Sequence, residues 1–220
     1  VGCGRYNGEI CIIVTLQVYP IQYHPIKKII QWAKEAYVVV EYEPPTSIPQ
    51  PMNHDNYQLV MIGPSEYSEQ VARLVTHKTD RGINSKFVSL EEIYDGTYFP
   101  ATGRDNQEKI KYFIKNAIEN WSTGNIILIG GSSTVPVRET HVYISDDNEV
   151  FVSDLYYADI YNGTGVFSSW DSNKNDIFGE YNWVGQTDVV DLHPDVFLTR
   201  IPSTTASQVT TFVNKIITYE

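Results

Sequence analysis

The pattern of hydrophobic and polar positions changes at a proline-rich segment of the chain. Before this segment, residues 11–19 and 37–42 are short runs rich in β-branched and aromatic side chains, which are typical of strands. After it, short apolar runs alternate with stretches whose apolar residues recur every three or four positions. The pattern predicts a β-rich segment over residues 1–44, a linker over residues 45–56 and an α/β unit over residues 57–220.

The α/β unit is predicted to alternate strands with helices. Strands are expected at residues 57–62, 86–90, 125–129 and 195–198, and helices after Ser65, after Asp105 and at about residues 205–219. Ser65 is the expected cap of the first helix, and Asp105 with Glu108 is close to a capping box at the second. The second helix has the clearest apolar face, formed by Ile110, Phe113, Ile114, Ala117, Ile118 and Trp121. This alternation predicts a parallel sheet with helices on both faces.

Cys3 and Cys11 flank a hairpin signal, and the register of that hairpin decides whether they can form a disulfide. A two-residue loop at Asn7 and Gly8 pairs Cys3 with Ile12, which separates the two thiols onto opposite faces. A three-residue loop with a bulge at Gly8 pairs Cys3 with Cys11, and of the two registers only this one permits a disulfide. The sequence leaves both registers open.

Composition and charge exclude several classes of function. The chain has 16 Lys and Arg against 27 Asp and Glu, a net charge of −11, and no basic cluster that could neutralise a nucleic-acid backbone. No apolar run reaches the roughly 18 residues that a transmembrane helix needs. Because the first residue is Val1 rather than Met, we expect the sequence to be a piece of a longer protein.

Common catalytic and cofactor motifs are missing from the sequence. The five histidines are scattered, and there is no Gly-x-Ser-x-Gly, His-Glu-x-x-His or phosphate-binding lysine loop. Gly130 and Gly131 follow a predicted strand but lack the third glycine of a dinucleotide-binding turn, which favours a simple tight turn. His141 with Asp146 and Asp147 matches no metal-ligand spacing, which favours a solvated loop.

Residues 170–180 have the oxygen-rich pattern of a calcium loop. Short oxygen side chains alternate along the stretch and a further carboxylate follows, so that they can converge on one hard cation. The candidate ligands are Asp171, Asn173, Asn175, the backbone carbonyl of Ile177, Glu180 and two acids upstream, Asp154 and Asp159. The stretch departs from an EF-hand at the sixth and twelfth positions. The alternative is an Asn/Asp-rich hairpin turn without an ion.

Five segments of the α/β unit resemble gingipain-type cysteine peptidases, in the same order along the chain. They are residues 56–68 (NYQLVMIGPSEYS), 127–138 (ILIGGSSTVPVR), 153–160 (SDLYYADI), 170–180 (WDSNKNDIFGE) and 193–220 (HPDVFLTRIPSTTASQVTTFVNKIITYE). The preceding residues 19–45 are similar to the β-rich region found ahead of the peptidase domain in such proteins. The resemblance therefore favours a strand over residues 26–36, although their apolar positions have helical spacing.

The resemblance implies a catalytic domain with two α/β halves of caspase-like topology. In that family a His-Gly base and a cysteine nucleophile lie in the second half. None of the five histidines here is followed by glycine, and neither cysteine lies in the α/β unit, so no catalytic residue can be assigned. The chain would correspond to the first half, preceded by a β-sandwich-like segment, with a structural Ca²⁺ expected at residues 171–180.

The expected function is therefore that of the non-catalytic half of a secreted or surface cysteine endopeptidase. The expected partners are the rest of its own polypeptide, which would carry the catalytic half, and protein or peptide substrates, without nucleic acid. An extracellular or cell-surface location agrees with the acidic charge and with a loop suited to millimolar calcium. The alternative is a calcium-stabilised binding or structural module of the cell surface that uses the same fold without catalysis.

Overall fold

The computed structural model describes residues 2–6, 9–13, 16, 20–35, 37–39, 41 and 56–220, with the backbone alone for residues 2–6 and 9–13. Its strands are β1 (Gly2–Tyr6), β2 (Glu9–Ile13), β3 (Ile21–His24), β4 (Ile29–Trp32), β5 (Leu59–Gly63), β6 (Ser85–Ser89), β7 (Asn125–Ile129), β8 (Arg138–Ile144), β9 (Asp147–Ser153) and β10 (Phe197–Ile201). Its helices are α1 (Ser68–Asp80), α2 (Leu90–Tyr94), α3 (Asn106–Trp121), α4 (Leu155–Ala158) and α5 (Ala206–Tyr219). None of the helices in this described part is both long and apolar enough to cross a membrane.

Strands β10, β7, β5 and β6 form, in that order, a parallel sheet with a hydrophobic cluster on each face. The side chains of the central strand β5 alternate between the two clusters. Val60 and Ile62 pack with residues of α2 and α3, whereas Leu59 and Met61 pack with residues of α1 and α5. All five residues of β5 are buried, as a sheet covered on both faces requires. The predicted α/β fold class is confirmed.

Three of the five described helices, α2, α3 and α5, begin at a residue whose side chain accepts a capping hydrogen bond, whereas α1 and α4 do not. Asp105 caps α3 by accepting a 2.7 Å hydrogen bond from the backbone N–H of Glu108. The carboxylate of Glu108 accepts in turn from the backbone N–H of Arg104, one residue before the cap. Ser65 does not cap α1 as predicted, because it begins a 3-10 turn and its N–H donates to the carboxylate of Glu91. Helix α1 therefore begins one turn later than the sequence predicts.

The N-terminal region contains two antiparallel hairpins, β1–β2 and β3–β4. In the first, Cys3 pairs with Ile12 and Gly4 pairs with Cys11, so the two cysteines are not partners across the strands. This is the register of the two-residue loop, and it does not favour the disulfide. The loop residues themselves lie outside the described residues.

Residues 26–35 are not helical, and the helical spacing of this segment was misleading; residue 36 lies outside the described residues. Residues 25–28 form the turn of the second hairpin, where Ile26 is 98% exposed, and β4 follows it as a strand. The strand predicted over residues 37–42 is wrong for residues 37–39 and 41, which pair with no other strand in the described part. The predicted linker lies outside the described residues, apart from Asn56.

The hairpin of β8 and β9 is an element that the hydrophobic pattern did not predict. Its turn residues Ser145 and Asp146 have φ values of 55° and 65°, the two positive values that a tight two-residue hairpin turn needs. The other edge of β8 forms a parallel bridge from Val142 to Tyr181. The hairpin therefore fixes the chain directly after the predicted calcium loop.

Candidate cation-binding loop

Residues 170–180, called the cation loop below, fold into a tight turn with unusual backbone angles. Trp170 and Asp176 both have φ of 65°, in the left-handed region that non-glycine residues rarely occupy. Gly179 has φ of 62°, and a Cβ atom there would lie 2.9 Å from Cγ2 of Thr140 on β8. Glycine is required at this position because of both the backbone angle and the close approach of β8.

Asp171 holds the cation loop together through both of its carboxylate oxygens. The buried side chain accepts hydrogen bonds from the backbone N–H groups of Asn175 (3.0 Å, to Oδ1) and Asp176 (3.2 Å, to Oδ2), and from the guanidinium of Arg104. Burial raises the pKa of the Asp171 carboxyl, but the hydrogen bonds from Arg104 and the two amides outweigh burial and lower the pKa overall. Asp171 is therefore an ionised carboxylate that organises the loop backbone.

Arg104 connects the cation loop to the start of α3. Its guanidinium bonds to the buried carboxylate of Glu108, with Nη2 at 2.8 Å from Oε1, and to Oδ1 of Asp176 at 2.8 Å. It also lies 4.8 Å from the ring centroid of Phe178. The hydrogen bond to Glu108 raises the pKa of the guanidinium further above its usual value. Arg104 lies 67 residues from Asp171 in sequence, so no local pattern predicted the pairing.

Three of the predicted ligands converge on one point. The side-chain amides of Asn173 and Asn175 both donate to the same oxygen of Glu180, Oε2, at 2.7 Å and 3.0 Å. A half-turn of each amide exchanges its nitrogen for its oxygen and would direct three oxygens at a common centre, which is the donor set that Ca²⁺ prefers. The present orientation is held by amide oxygens that accept from the N–H groups of Asn175 (3.1 Å) and Ile177 (2.9 Å). These residues therefore fit a hard cation, in competition with the hydrogen bonds of the loop itself.

Asp188 is a residue of this site that the sequence analysis missed. It is buried, and its Oδ1 accepts from the N–H and the hydroxyl of Ser172 at 2.6 Å and 3.0 Å. Its Oδ2 accepts from the N–H of Glu180 at 3.0 Å. Asp188 therefore joins Ser172, near the start of the cation loop, to Glu180 at its end. Its position eight residues after Glu180 was the available signal, but the spacing matches no known ligand set.

The two upstream acids bind other partners. Asp154 forms a bidentate pair with Arg200, at 2.6 Å from Nε and 2.7 Å from Nη2. Asp159 is buried and accepts from the indole Nε1 of Trp170 at 2.9 Å, so it contacts the first residue of the cation loop rather than its centre. In the described ranges, no three His, Cys, Asp or Glu side chains form a group that could hold a metal ion. A cation at this loop would depend on amide and carbonyl oxygens beside Glu180.

The other candidates from the sequence have structural roles. The backbone around Gly130 is a tight turn, and Arg200 donates to the carbonyl oxygens of Gly130 and Val135, both at 2.9 Å. His141 lies on β8 and packs edge-to-face on Trp183 at 5.1 Å between ring centroids. Neither position has the arrangement of a phosphate site or a metal site.

Comparison with known proteins identifies one family. The sequence pattern of Peptidase family C25 matches residues 53–220. A search of curated protein sequences found no significant match. Among solved structures, the latent dimeric PorU of Porphyromonas gingivalis has a TM-score of 0.50 and 15% identity, over 74% of this chain and 15% of that one.

Two further structures are similar at lower TM-scores. The complex of the pro- and mature domains of RgpB from Porphyromonas gingivalis has a TM-score of 0.46 and 18% identity, over 74% of this chain and 29% of that one. A structure described only as a protease has a TM-score of 0.47 and 13% identity. The chain therefore spans less than a third of the solved structures it resembles. Because the family match covers well over half of the sequence, the chain belongs to peptidase family C25, the gingipain family of cysteine peptidases.

Proposed function

We propose that residues 56–220 are the non-catalytic half of the peptidase unit of a secreted or surface cysteine endopeptidase. The observation that carries the proposal is that this α/β unit belongs to a cysteine-peptidase family and yet contains no cysteine. The chain has two cysteines, Cys3 and Cys11, and both lie in the N-terminal hairpin strands. The nucleophile and its histidine base would therefore come from a part of the polypeptide other than these 220 residues.

The histidines of the α/β unit support the same proposal, because each has a partner that is not a thiol. His77 pairs with Glu220 at 3.1 Å, and His193 lies 2.6 Å from the carbonyl oxygen of Asp191. His141 packs on an indole ring as described above. None of these imidazoles is arranged as the base of a Cys/His dyad.

The β8–β9 hairpin offers a surface against which a catalytic half could pack. On β8, the backbone N–H of Tyr143 and the carbonyl of His141 form hydrogen bonds with Tyr181 and not with β9. The residues of β9 that pair with them therefore have backbone groups that point away from β8, towards the open edge of β9. One of these is Val150, which is 49% exposed, and Val152 faces the same way and is 58% exposed. A row of apolar side chains on an open strand edge is typical of a surface that another element covers.

We infer further that the cation loop binds a structural Ca²⁺ through Asn173, Asn175, Glu180 and the carbonyl of Ile177. Asp171 and Asp188 would shape the loop around it. With one carboxylate among the side-chain ligands, the affinity would be in the millimolar range of extracellular modules, which suits a secreted or surface location. The ion would stabilise the loop and take no part in peptide hydrolysis.

A matched set of proteins tests the peptidase proposal. The 220-residue chain and the full-length gene product are assayed on an unstructured protein substrate, with and without alkylation by iodoacetamide. We expect no hydrolysis by the 220 residues, and hydrolysis by the full-length protein that iodoacetamide abolishes. A full-length Cys3→Ser/Cys11→Ser variant is the control and should keep its activity and its sensitivity to alkylation. Hydrolysis by the 220 residues that is lost when Cys3→Ser and Cys11→Ser are made in the same 220 residues would overturn the proposal.

The rival function is a surface module without catalysis, and the exposed Val150 and Val152 also suit a binding face. The same assay separates the two. A full-length protein that is folded and shows no alkylation-sensitive hydrolysis of any protein substrate would favour the binding module.

A further inference from the structure

Three ionisable side chains are completely buried between α3, the cation loop and the approach to β10. Lys111 of α3, Asp159 and Asp195 each have 0% exposure. The Nζ atom of Lys111 is surrounded by the rings of Tyr156, Trp170 and Phe167, at 4.1 Å, 5.4 Å and 5.6 Å from their centroids. In the described part of the chain this Nζ has no hydrogen-bond partner, which is rare for a buried ammonium group.

The two carboxylates are each satisfied on one oxygen only. Oδ2 of Asp159 accepts from the indole of Trp170 (2.9 Å) and the N–H of Leu192 (3.3 Å). Oδ2 of Asp195 accepts from the successive N–H groups of residues 160 and 161, at 2.7 Å and 2.8 Å. The Oδ1 atoms of both are buried and have no partner among the described residues. Three buried polar atoms are therefore unsatisfied in one region.

Lys111 and Asp159 are neighbours without a direct hydrogen bond, because the Trp170 ring beside Nζ of Lys111 donates its indole N–H to Asp159. In the described residues Nζ of Lys111 makes no hydrogen bond to a carboxylate. Nevertheless, Asp159 is the charged neighbour with the strongest effect on Lys111, and Asp195 acts on it in the same direction. Two groups joined through one water lie about 5 Å apart, since each hydrogen bond is about 2.8 Å long.

We propose that Lys111, Asp159 and Asp195 enclose a buried hydration site in which an ordered water molecule bridges the ammonium group to the two carboxyl groups. The bonding capacity of water matches the three unsatisfied atoms. One lone pair accepts from Nζ of Lys111, and the two O–H groups donate to Oδ1 of Asp159 and Oδ1 of Asp195. A metal cation does not fit this site, because it would be repelled by the ammonium group and could accept no hydrogen bond from it.

The charge of the site is consistent with bound water in either protonation state of Asp195. Burial raises the pKa of Asp195 to about 7, and when its Oδ1 carries a proton the same water accepts from it and donates to Asp159. Burial lowers the pKa of Lys111 and raises that of Asp159. The other charged groups that act on the three are Arg138 and Glu108, near Lys111, and Asp191, near both carboxyls.

The site links three parts of the fold that are distant in sequence. Lys111 belongs to α3, Trp170 joins the cation loop to Asp159, and Asp195 lies two residues before β10. A water network that satisfies all of its members stabilises one arrangement of these parts, whereas a partly satisfied one would be costly.

A high-resolution crystal structure of the full chain is the direct test. We expect electron density for at least one water within hydrogen-bond distance of Nζ of Lys111 and of Oδ1 of Asp159 or Asp195. A direct contact between Nζ and a carboxylate with no water, or a dry site, would overturn the proposal. This test needs no variant, so it does not depend on whether substitutions at the site fold.

A double-mutant cycle tests the coupling in solution. Lys111→Met should raise the unfolding equilibrium constant by about 100-fold or more, because it leaves Asp159 buried without a counter-charge. Adding Asp159→Asn should recover at least about tenfold of that loss, since the unpaired charge is then gone. The control is Lys115→Met, one turn along α3 in a half-buried pair with Glu119, which should change the constant by no more than about fivefold. Simple additivity of the two substitutions at the site would contradict the coupling.

Discussion

The indole Nε1 of Trp170 donates a 2.9 Å hydrogen bond to Oδ2 of Asp159, and both side chains are buried. Trp170 is the first residue of the cation loop, where it has φ of 65°. A bulky residue keeps such an angle only when the surroundings fix it. The bond to Asp159 and the edge-to-face contact with Tyr156, at 5.6 Å between centroids, supply this constraint. The loop geometry is therefore set from the protein interior.

Replacing Trp170 by phenylalanine should separate the hydrogen bond from the packing of the ring. Trp170→Phe keeps an aromatic side chain but leaves Oδ2 of Asp159 with one donor fewer, and we expect a loss of about 3 kcal/mol in the free energy of unfolding. The control is Trp121→Phe, since that ring packs among aromatic neighbours and its indole makes no hydrogen bond within the described residues. Urea unfolding measures the free energy of unfolding of the two variants. Equal losses of this free energy would mean that the hydrogen bond contributes little.

Gly179 is expected to tolerate no side chain. Gly179→Ala places a Cβ atom 2.9 Å from Thr140 and 3.2 Å from the Trp170 ring, in addition to the strain of φ at 62°. Gly165 is a matched control, because its φ is 78° and a Cβ atom there meets nothing within 4 Å. We expect Gly165→Ala to cost about 1 kcal/mol and Gly179→Ala about 3 kcal/mol by urea unfolding. If the two costs are the same, β8 moves aside and the close approach is not a constraint.

The elements with strong periodicity were predictable from the sequence. The apolar run at residues 125–129 became strand β7, in which Ile126, Leu128 and Ile129 are buried, and the apolar positions predicted for α3 are all buried. Such elements bury their own apolar faces, so the local pattern contains the necessary information. The ambiguous residues 26–36 show the opposite case. In the described part of this segment the β3–β4 pairing makes residues 29–32 a strand, and helical spacing alone was misleading.

The candidate site was only partly predictable, because its geometry depends on residues far apart in sequence. Asn173, Asn175 and Glu180 converge as their alternation suggested. The partners that shape the loop, Arg104 and Asp188, belong to other segments and left no local signal. Asp154 was included for its proximity in sequence, but its carboxylate is bound by Arg200. Neighbours in sequence are poor guides to ligands when a loop is fixed by tertiary contacts.

Calcium binding predicts a stabilisation that depends on Glu180. Ca²⁺ added to the protein should raise the free energy of unfolding by about 2.7 kcal/mol at 100 times the dissociation constant. Glu180→Gln removes the one carboxylate of the converging set and should weaken binding at least about tenfold. Asp147→Asn at the turn of the β8–β9 hairpin changes the net charge equally and should leave the calcium effect intact. Thermal unfolding at increasing calcium concentrations measures the calcium-dependent stabilisation of each variant. An equal stabilisation of wild type and Glu180→Gln would exclude the site.

The buried carboxyl of Asp195 predicts a pH dependence of stability of a particular sign. Burial raises its pKa to about 7 in the folded protein, so between about pH 4 and pH 7 the folded state binds more protons than the unfolded state. The contribution of this group to stability is therefore greatest at low pH and decreases as the pH rises from about 4 through 7, by roughly 4 kcal/mol in total.

Carboxyls whose pKa is lowered, such as Asp171, act in the opposite direction over the acid range, so the effect of Asp195 must be measured as a difference. The free energy of unfolding is measured by urea for wild type and Asp195→Asn from pH 4 to pH 8. We expect the advantage of the wild type over Asp195→Asn to shrink steadily as the pH rises, because asparagine resembles the protonated acid and cannot ionise. Asp147→Asn, with an exposed side chain, should show a nearly constant difference. A difference for Asp195→Asn that stays constant or grows with pH would mean that Asp195 is ionised in the folded protein throughout this range and that its pKa is not raised.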